Sequence, residues 1–396
     1  MLKTDNSTLK QIPRGVWVLG FVSMLMDISS EMVHSLLPLF LVGALGASAL
    51  TIGIIEGVAE STALIVKVFS GVLSDYFGKR KWLAVLGYGL GALSKPFFAL
   101  ANSSGTVFAA RFVDRIGKGI RGAPRDALIA DITPPAIRGA AYGLRQAIDT
   151  FGAFVGPLLA VALMLLWSND FRAIFWLATI PAVLAVLLLI VGIKEPEKPP
   201  GAKRVNPIQR ANLVRLSAAY WWVVLIGAVF MLARFSEAFL VLRAQQSGIA
   251  LALVPLMLVA MNLVYSALAY PFGKLADRFS QKHLLAGGLL VLLLADLVLA
   301  SSTHWLVVLT GLMLWGMHMA MTQGLLAAMV ANAAPPDLQG TAFGFFNLLS
   351  GIALLIASVA AGWIWQTAGA EWTFYVGALL SVLALLVLIA APNQKT

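Results

Sequence analysis

Long apolar runs separated by short polar connectors fill most of this chain. Each run holds about 20 or more mainly apolar residues, the length at which an α-helix crosses the ~30 Å hydrocarbon core of a bilayer. The runs lie at 16–44, 50–73, 82–101, 105–131, 139–166, 171–193, 217–246, 251–276, 283–301, 304–331, 339–366 and 370–391. They predict an all-α polytopic membrane protein with about twelve transmembrane helices. A β-barrel is disfavoured, because its strands would alternate apolar and polar residues.

Composition supports this interpretation: the 396 residues are 60% hydrophobic and only 12% charged, against about 25% charged in soluble proteins. The net charge of +10 comes from basic residues in the connectors or singly inside apolar runs, so we expect no nucleic-acid binding. The chain has no cysteine, which excludes disulfides and thiolate metal sites. No phosphate-binding loop or metal-ligand spacing is present. We therefore expect no cofactor, no metal ion and no enzymatic activity.

Basic residues also predict the orientation, since cytoplasmic loops are rich in Lys and Arg. With the N-terminus inside, the inner connectors contain Lys79, Arg80, Lys81, Arg138, Lys194, Lys198, Lys203, Arg204, Arg210, Lys274, Arg278 and Lys282. The outer connectors are short and nearly free of them. We expect both termini to be cytoplasmic in a multi-pass protein of the inner membrane.

An internal repeat divides the chain into halves. The segment 71–75 (GVLSD) returns as 273–277 (GKLAD), an offset of 277 − 75 = 202, and the Pro pair 134–135 returns at 335–336, an offset of 335 − 134 = 201. The polar, Pro-rich segment between the halves predicts a linker. The expected organisation is a six-helix bundle over 1–193, a cytoplasmic linker over 194–216 and a second six-helix bundle over 217–396.

At these motifs the sequence resembles the major facilitator superfamily of secondary transporters. The segment 71–81 (GVLSDYFGKRK) resembles its loop 2–3 signature, with Lys79 where the first basic residue is usually Arg. The segment that ends at Asp131 resembles the end of the family's fourth helix, and Arg138 with the following glycine resembles its loop 4–5. Segment 152–157 resembles the fifth-helix Gly-x-x-x-Gly-Pro of exporters. The matching residues are Gly71, Asp75, Gly78, Lys79, Arg80, Asp131, Arg138, Gly152, Gly156 and Pro157.

This resemblance implies two six-helix bundles around a central cavity, alternating access and a small-molecule substrate. We also expect a monomer in the lipid bilayer. The resemblance further implies that Asp75, Arg80 and Asp131 form ion pairs that hold the cytoplasmic helix ends together. The other interpretation of the basic residues at 79–81 is that they only fix the topology.

Charged side chains inside apolar spans are costly and are retained where they face a cavity and function there. Asp27, Glu31 and His34 share one face of the first span, and Glu56 and Glu60 share one face of the second. These five are the candidates for proton coupling, with Asp27 preferred because it is nearer the middle of the membrane. Two interpretations stay open: the charges form a structural ion-pair network, or a carboxylate binds and releases a proton as its surroundings change.

Candidates for a substrate cavity lie mainly in the fourth and fifth spans, where bases outnumber acids. Such an excess favours an anionic or zwitterionic substrate, because guanidinium groups bind carboxylate or phosphate in a bidentate manner. We expect Asp149 to pair with Arg111 or Arg115. The candidates are Arg111, Asp114, Arg115, Lys118, Arg145, Asp149, Arg234, Glu237, Asn262, Tyr265 and His318.

Together these features predict a proton-coupled secondary active transporter. Its substrate would be a small organic solute, drug-like or an anionic metabolite, with export slightly favoured. Proton-coupled uptake of an organic anion is the main alternative. A membrane receptor without transport activity is a distant one.

Overall fold

The computed structural model describes residues 11–77, 79–195, 215–276, 279–335 and 338–391. Within these ranges the chain forms helices and no strands. The α-helices are α1 (Arg14–His34), α2 (Leu37–Gly43), α3 (Ala49–Phe77), α4 (Arg80–Leu100), α5 (Ser104–Ile132), α6 (Arg138–Leu166), α7 (Phe171–Gly192), α8 (Ala218–Ala233), α9 (Ala238–Gln245), α10 (Val254–Ala276), α11 (Gln281–Ser301), α12 (Trp305–Ala333), α13 (Gln339–Thr367) and α14 (Ala370–Ala390).

The helices confirm the prediction of an all-α membrane protein. In the part of the chain that the structure describes, eleven helical segments are long and apolar enough to cross a membrane. The predicted fourth span is α5, whose 29 residues extend over about 44 Å at 1.5 Å per residue. Its length suffices for a crossing, and its charged residues explain why apolarity alone does not select it.

Two predicted spans are each broken into two helices. The first is interrupted at Ser35 and Leu36, between α1 and α2, and the seventh over 234–237, between α8 and α9. Pro38 lies just after the first break, where its ring nitrogen cannot donate to the preceding turn. At the second break the Ser236 hydroxyl accepts a hydrogen bond at 3.2 Å from the backbone N–H of Ala238, the first residue of α9.

The chain separates into two compact units whose boundary differs from that of the sequence repeat. Unit 1 comprises Met1–Leu36 and Val66–Asn206, and unit 2 comprises Leu37–Ile65 and Pro207–Thr396. The predicted linker lies mostly outside the described residues, which resume at 215. The division into two six-helix repeats stays a prediction.

Glycines let helix backbones approach closely within unit 1. A Cβ at Gly87 of α4 would lie 2.7 Å from the Gly117 carbonyl oxygen of α5. On α6, a Cβ at Gly152 would lie 2.5 Å from the Met24 carbonyl oxygen, and one at Gly156 would lie 2.7 Å from the Glu31 Cβ. The fifth-helix motif therefore packs α6 directly on the charged face of α1.

The same kind of contact joins the beginning of α3 to α13 in unit 2. A Cβ at Gly362 would lie 2.5 Å from the Ala49 carbonyl oxygen and 2.9 Å from the Leu50 Cα. A Cβ at Gly57 would lie 3.1 Å from the Ser358 Cβ. These two helices therefore pack backbone against backbone where α3 begins.

One lysine contact recurs in both units. Lys81 donates to the Ile190 carbonyl oxygen at 2.8 Å, and Lys282 donates to the Ala391 carbonyl oxygen at 2.7 Å. Their positions differ by 282 − 81 = 201, the offset of the sequence repeat. Each lysine binds carbonyls that the C-terminus of a helix leaves without a partner, so the repeat extends to helix capping.

Candidate substrate and proton sites

The centre of unit 1 holds a buried ion pair between α4 and α5. The Lys95 Nζ lies 2.8 Å from Asp114 Oδ1, and the two side chains are 1% and 4% exposed. Lys95 also donates to the Ser30 hydroxyl at 3.2 Å, and the Arg111 Nη1 lies 3.8 Å from the second oxygen of Asp114. Arg115 is buried nearby on α5. Asp114 is thus held by more than one cation, which offsets the cost of burying its charge.

A second polar layer lies further along α5. The Arg121 guanidinium lies 5.0 Å from the centre of the Tyr88 ring, within the range of a cation–π interaction. The Tyr88 and Ser23 hydroxyls are 3.1 Å apart. Arg125 donates to the Ser23 hydroxyl at 3.3 Å and to the Asp126 carboxylate at 2.9 Å. Helices α1, α4 and α5 are therefore joined by polar side chains at this level.

The expected partner of Asp149 was wrong. Its carboxylate accepts a hydrogen bond from Arg145 at 2.8 Å, one turn earlier on α6, where the sequence suggested Arg111 or Arg115. Residues four apart on a helix face the same way, so the pair forms without help from another helix. Arg145 is mostly buried, and it also donates to the Gln146 side chain at 2.8 Å.

Asp27 differs from the other acids of α1, α5 and α6. It is half-buried on α1 and makes no hydrogen bond or ion pair with the residues that the structure describes. The charges that act on it come from Asp149 and Glu31 and from Arg121 and Lys118. One turn along α1, the Glu31 carboxylate lies 3.7 Å from His34 Nδ1. Asp27 is thus a carboxylate among mixed charges without a fixed partner.

The remaining proton candidates lie on the part of α3 that belongs to unit 2. Glu56 is 1% exposed and Glu60 is half-buried, one turn further on. In unit 1, Lys118 is exposed, in contrast to the buried bases beside it on α5.

Unit 2 contains the other predicted cavity residues. The Arg234 guanidinium lies 3.3 Å from the Glu237 carboxylate at the break between α8 and α9. Asn262 and Tyr265 are half-buried on α10. His318 has no exposed surface. Its Nδ1 lies 2.8 Å from the Gly288 carbonyl oxygen, and its ring stacks on Phe230, so His318 lies in the helix-packing core rather than on an open cavity wall.

The loop motif after α3 is described in part. Gly78 and the side chain of Asp75 lie outside the described residues. The Arg80 guanidinium lies 3.2 Å from the Asp131 carboxylate at the end of α5. Gly71 lies on α3, and a Cβ added there would lie 3.6 Å from the Ala123 Cβ. Lys79 is exposed, and Arg138 donates a hydrogen bond to the Thr133 carbonyl oxygen at 3.4 Å. Pro157, of the fifth-helix motif, is buried in α6.

Some polar groups were not among the predicted site residues. Lys95 and Tyr88 become central only because α4 packs on α5. For Lys95 the sequence offered one signal, a lysine inside an apolar span. For Tyr88 the sequence offered no signal. The Glu195 carboxylate accepts hydrogen bonds from the backbone N–H groups of Arg80 and Lys81, at 2.7 and 3.0 Å. Glu195 lies in the segment after α7, and it thus caps the N-terminus of α4.

A cavity of about 530 Å³ lies in unit 2, near the beginning of α3 and the ends of α9 and α13. Loop residues after α2 and polar side chains from both helix ends line it. Its polar and aromatic lining includes Ser48, Gln245, Gln246, Trp365 and Gln366. No motif in the sequence indicated this cavity.

Helical segments long and apolar enough to cross a membrane, with ion pairs buried among them, define a polytopic membrane protein. The major facilitator superfamily model matches residues 19–243 and 223–396. The chain is 31% identical over 396 residues to the uncharacterised MFS-type transporter MJ1317 of Methanocaldococcus jannaschii, covering 98% of this chain and 97% of the relative. This chain therefore belongs to the major facilitator superfamily and is a transporter rather than an enzyme.

More distant relatives agree with this assignment. The multidrug resistance protein MdtH of Yersinia pestis is 24% identical over 360 residues, covering 89% of this chain and 87% of that protein. A crystal structure of the nucleoside transporter NupG, in a variant form, matches with a TM-score of 0.79 at 12% identity, over 96% of this chain and all of that one. At this identity the structural match supports the fold alone.

Proposed function

We propose that this transporter is proton-coupled and moves a small organic solute, drug-like or an anionic metabolite, by alternating access. Export is slightly favoured. Its position would be the inner membrane, with both termini in the cytoplasm and a single chain as the working form. The orientation is supported by the basic residues of the predicted inner connectors.

The observation that carries the coupling is the state of Asp27. Among the acids of α1, α5 and α6 it is the one without an ion-pair or hydrogen-bond partner in the described ranges, and it lies among both cations and carboxylates. A small movement of α1 against α5 or α6 changes which of these charges is nearest. Since neighbouring charges decide whether a carboxylate holds a proton, such a movement would load or release one.

The substrate class is supported by the charge of α5. Among the described residues of α5, Arg111, Arg115 and Arg121 are buried bases and Asp114 is a buried acid, and Lys95 of α4 adds a further buried base. An anion or zwitterion would complement the positive excess. The similarity to a multidrug resistance protein supports export, while the same basic residues are compatible with uptake of an organic anion.

The test is proton flux in liposomes that contain an internal pH dye. A panel of organic anions, cations and sugars is added to wild-type protein and to Asp27→Asn. We expect a pH change with one substrate class, its loss in Asp27→Asn, and continued downhill exchange of substrate in that variant. Asp170→Asn is the matched control, because Asp170 caps α7 with hydrogen bonds to Arg172 and Ala173 N–H groups that asparagine can also accept.

Each result separates the alternatives. The sign of the pH change distinguishes export in exchange for protons from proton-coupled uptake. Uphill transport by Asp27→Asn at the wild-type rate would refute the assignment of Asp27. Substrate binding without proton flux in the wild-type protein would refute the proton coupling and favour a uniporter, a sodium-coupled carrier or a receptor.

A further inference from the structure

Asp296 is a buried acid of α11, five residues before the end of that helix, and the function proposed above does not use it. The side chain has no exposed surface, and neither carboxylate oxygen has a hydrogen-bond partner among the described residues. By contrast, the buried Asp114 of α5 is held by cations. The isolation of Asp296 therefore requires an explanation.

The carboxyl group of Asp296 lies against apolar surface. A Cβ at Gly377 of α14 would lie 2.8 Å from Asp296 Oδ2 and 3.1 Å from the ring of Phe235. The Phe235 ring in turn packs on Trp315 and Phe374, with ring centres 5.6 Å apart in both pairs. The glycine thus leaves the space that the carboxyl group occupies, beside an aromatic cluster.

The titratable groups of the neighbouring helices have other partners or lie elsewhere. His318 of α12 binds the carbonyl of Gly288, eight residues before Asp296 and so about 12 Å away along α11. Arg243 of α9 donates to the Leu299 carbonyl at 2.8 Å, near the end of α11. The others are Glu371, which lies 3.8 Å from Arg243, the exposed Tyr375, and the pair Arg234 and Glu237.

An isolated ionised carboxylate in such surroundings has a very high free energy and takes up a proton instead. Further buried polar atoms on the adjacent helices lack a hydrogen-bond partner within the described ranges: Trp315 Nε1 and His318 Nε2 on α12, and Ser381 Oγ one turn after Gly377 on α14. Water that enters between these helices when they move would therefore find hydrogen-bond partners on both of them.

We propose that Asp296 is a second proton-binding site, in unit 2, and that its proton is exchanged during the transport cycle. In the packing described here the acid is neutral. When α11 and α14 move apart, the O–H bond of the carboxyl group breaks, the proton passes to water and the carboxylate becomes hydrated. This exchange rests on the proton coupling proposed above, whereas the occupancy of the site does not.

Occupancy is tested by infrared spectroscopy on the purified protein at neutral pH. We expect a carbonyl band of a protonated carboxylic acid in the wild type, retained in Asp27→Asn and lost in Asp296→Asn. Asparagine has the shape of the neutral acid, so this variant should fold. Gly377→Ala is a second variant, because its methyl group would displace the carboxyl group and shift the band. Gly340→Ala is its control, since a Cβ there meets nothing within 4 Å.

Exchange is tested by counting protons moved per substrate in liposomes. We expect Asp296→Asn to move fewer protons per substrate than the wild type while still transporting. An unchanged infrared band in Asp296→Asn overturns the site, whatever the transport result. A lost band with an unchanged proton count overturns the exchange. No proton flux in the wild type refutes the proposed coupling together with the exchange, and the infrared result then decides occupancy alone.

Discussion

The contact between α3 and α13 in unit 2 predicts how one methyl group should act. In Gly362→Ala the added Cβ would lie 2.5 Å from the Ala49 carbonyl oxygen and 2.9 Å from the Leu50 Cα. Because both neighbours are backbone atoms, they cannot rotate away, and the helices must separate by roughly 1 Å to restore van der Waals contact. Overpacking of this kind costs about 1–3 kcal/mol.

The control for this substitution lies on the same helix. Gly340→Ala places a methyl group where nothing lies within 4 Å, so it reports only the gain of about 0.5–1 kcal/mol from replacing glycine by alanine in a helix. Subtracting that gain isolates the packing cost. A net cost of about 2 kcal/mol on the packed arrangement corresponds to a roughly 30-fold shift toward the arrangement with these helices apart.

The assay uses the absence of cysteine from the chain. Ala47→Cys and Gln366→Cys introduce two labelling sites, both lining the cavity at this end of the helices, and spin labels there report their separation. We expect Gly362→Ala to populate longer distances at least about tenfold more than the parent, and Gly340→Ala to match the parent. Identical distance distributions for the two alanine variants would refute the reasoning.

Further predictions concern unit 1. Asp114→Asn should destabilise it by about 3–5 kcal/mol, and by more than Lys95→Met, because it removes the carboxylate that both Lys95 and Arg111 contact. Thermal unfolding of both variants measures this, and equal losses would contradict it. Gly87→Ala should prevent correct folding, so that this variant no longer elutes as a single symmetrical peak in size-exclusion chromatography. Gly89→Ala, with nothing within 4 Å of its Cβ, should elute as the wild type does. Glu195→Ala should cost about 1 kcal/mol as a lost helix cap, and Glu195→Gln should recover most of it; equal unfolding temperatures of these two variants would exclude the capping role.

The sequence was sufficient for the helices because length and apolarity decide where a chain can cross a bilayer. Even α5 could be predicted, since omitting it would have put neighbouring basic connectors on opposite sides. The breaks at 35–36 and 234–237 were not predicted. The sequence carries a signal at each place, since Pro38 follows the first break and the polar segment 234–237 (RFSE) forms the second. Such residues also occur inside unbroken helices, so the end of a helix there depends on the local backbone hydrogen bonding.

The side-chain pairs divide in a similar way. Arg145 and Asp149 are four residues apart on one helix, so their contact could have been derived from spacing; the expectation of a partner on α5 gave too little weight to this local geometry. The pair of Lys95 and Asp114 requires the rotation of α4 against α5, which two close-packed glycines set and which the sequence does not reveal. Asp27 could be selected for its position, but its lack of a fixed partner is visible only in the structure.

The buried charges of α5 have a consequence for how the protein is made. A single Asp, Lys or Arg near the centre of a helix raises the free energy of membrane insertion by about 2.5–3.5 kcal/mol, and α5 carries Arg111, Asp114 and Arg115 within five residues. Insertion of α5 into the bilayer as an isolated segment would therefore be unfavourable. Because Lys95 of α4 lies directly against Asp114, the two helices can enter together as a hairpin with part of their charge already neutralised. During synthesis, α4 would thus stay in the insertion machinery until α5 has been made, and the two helices would then enter the bilayer together.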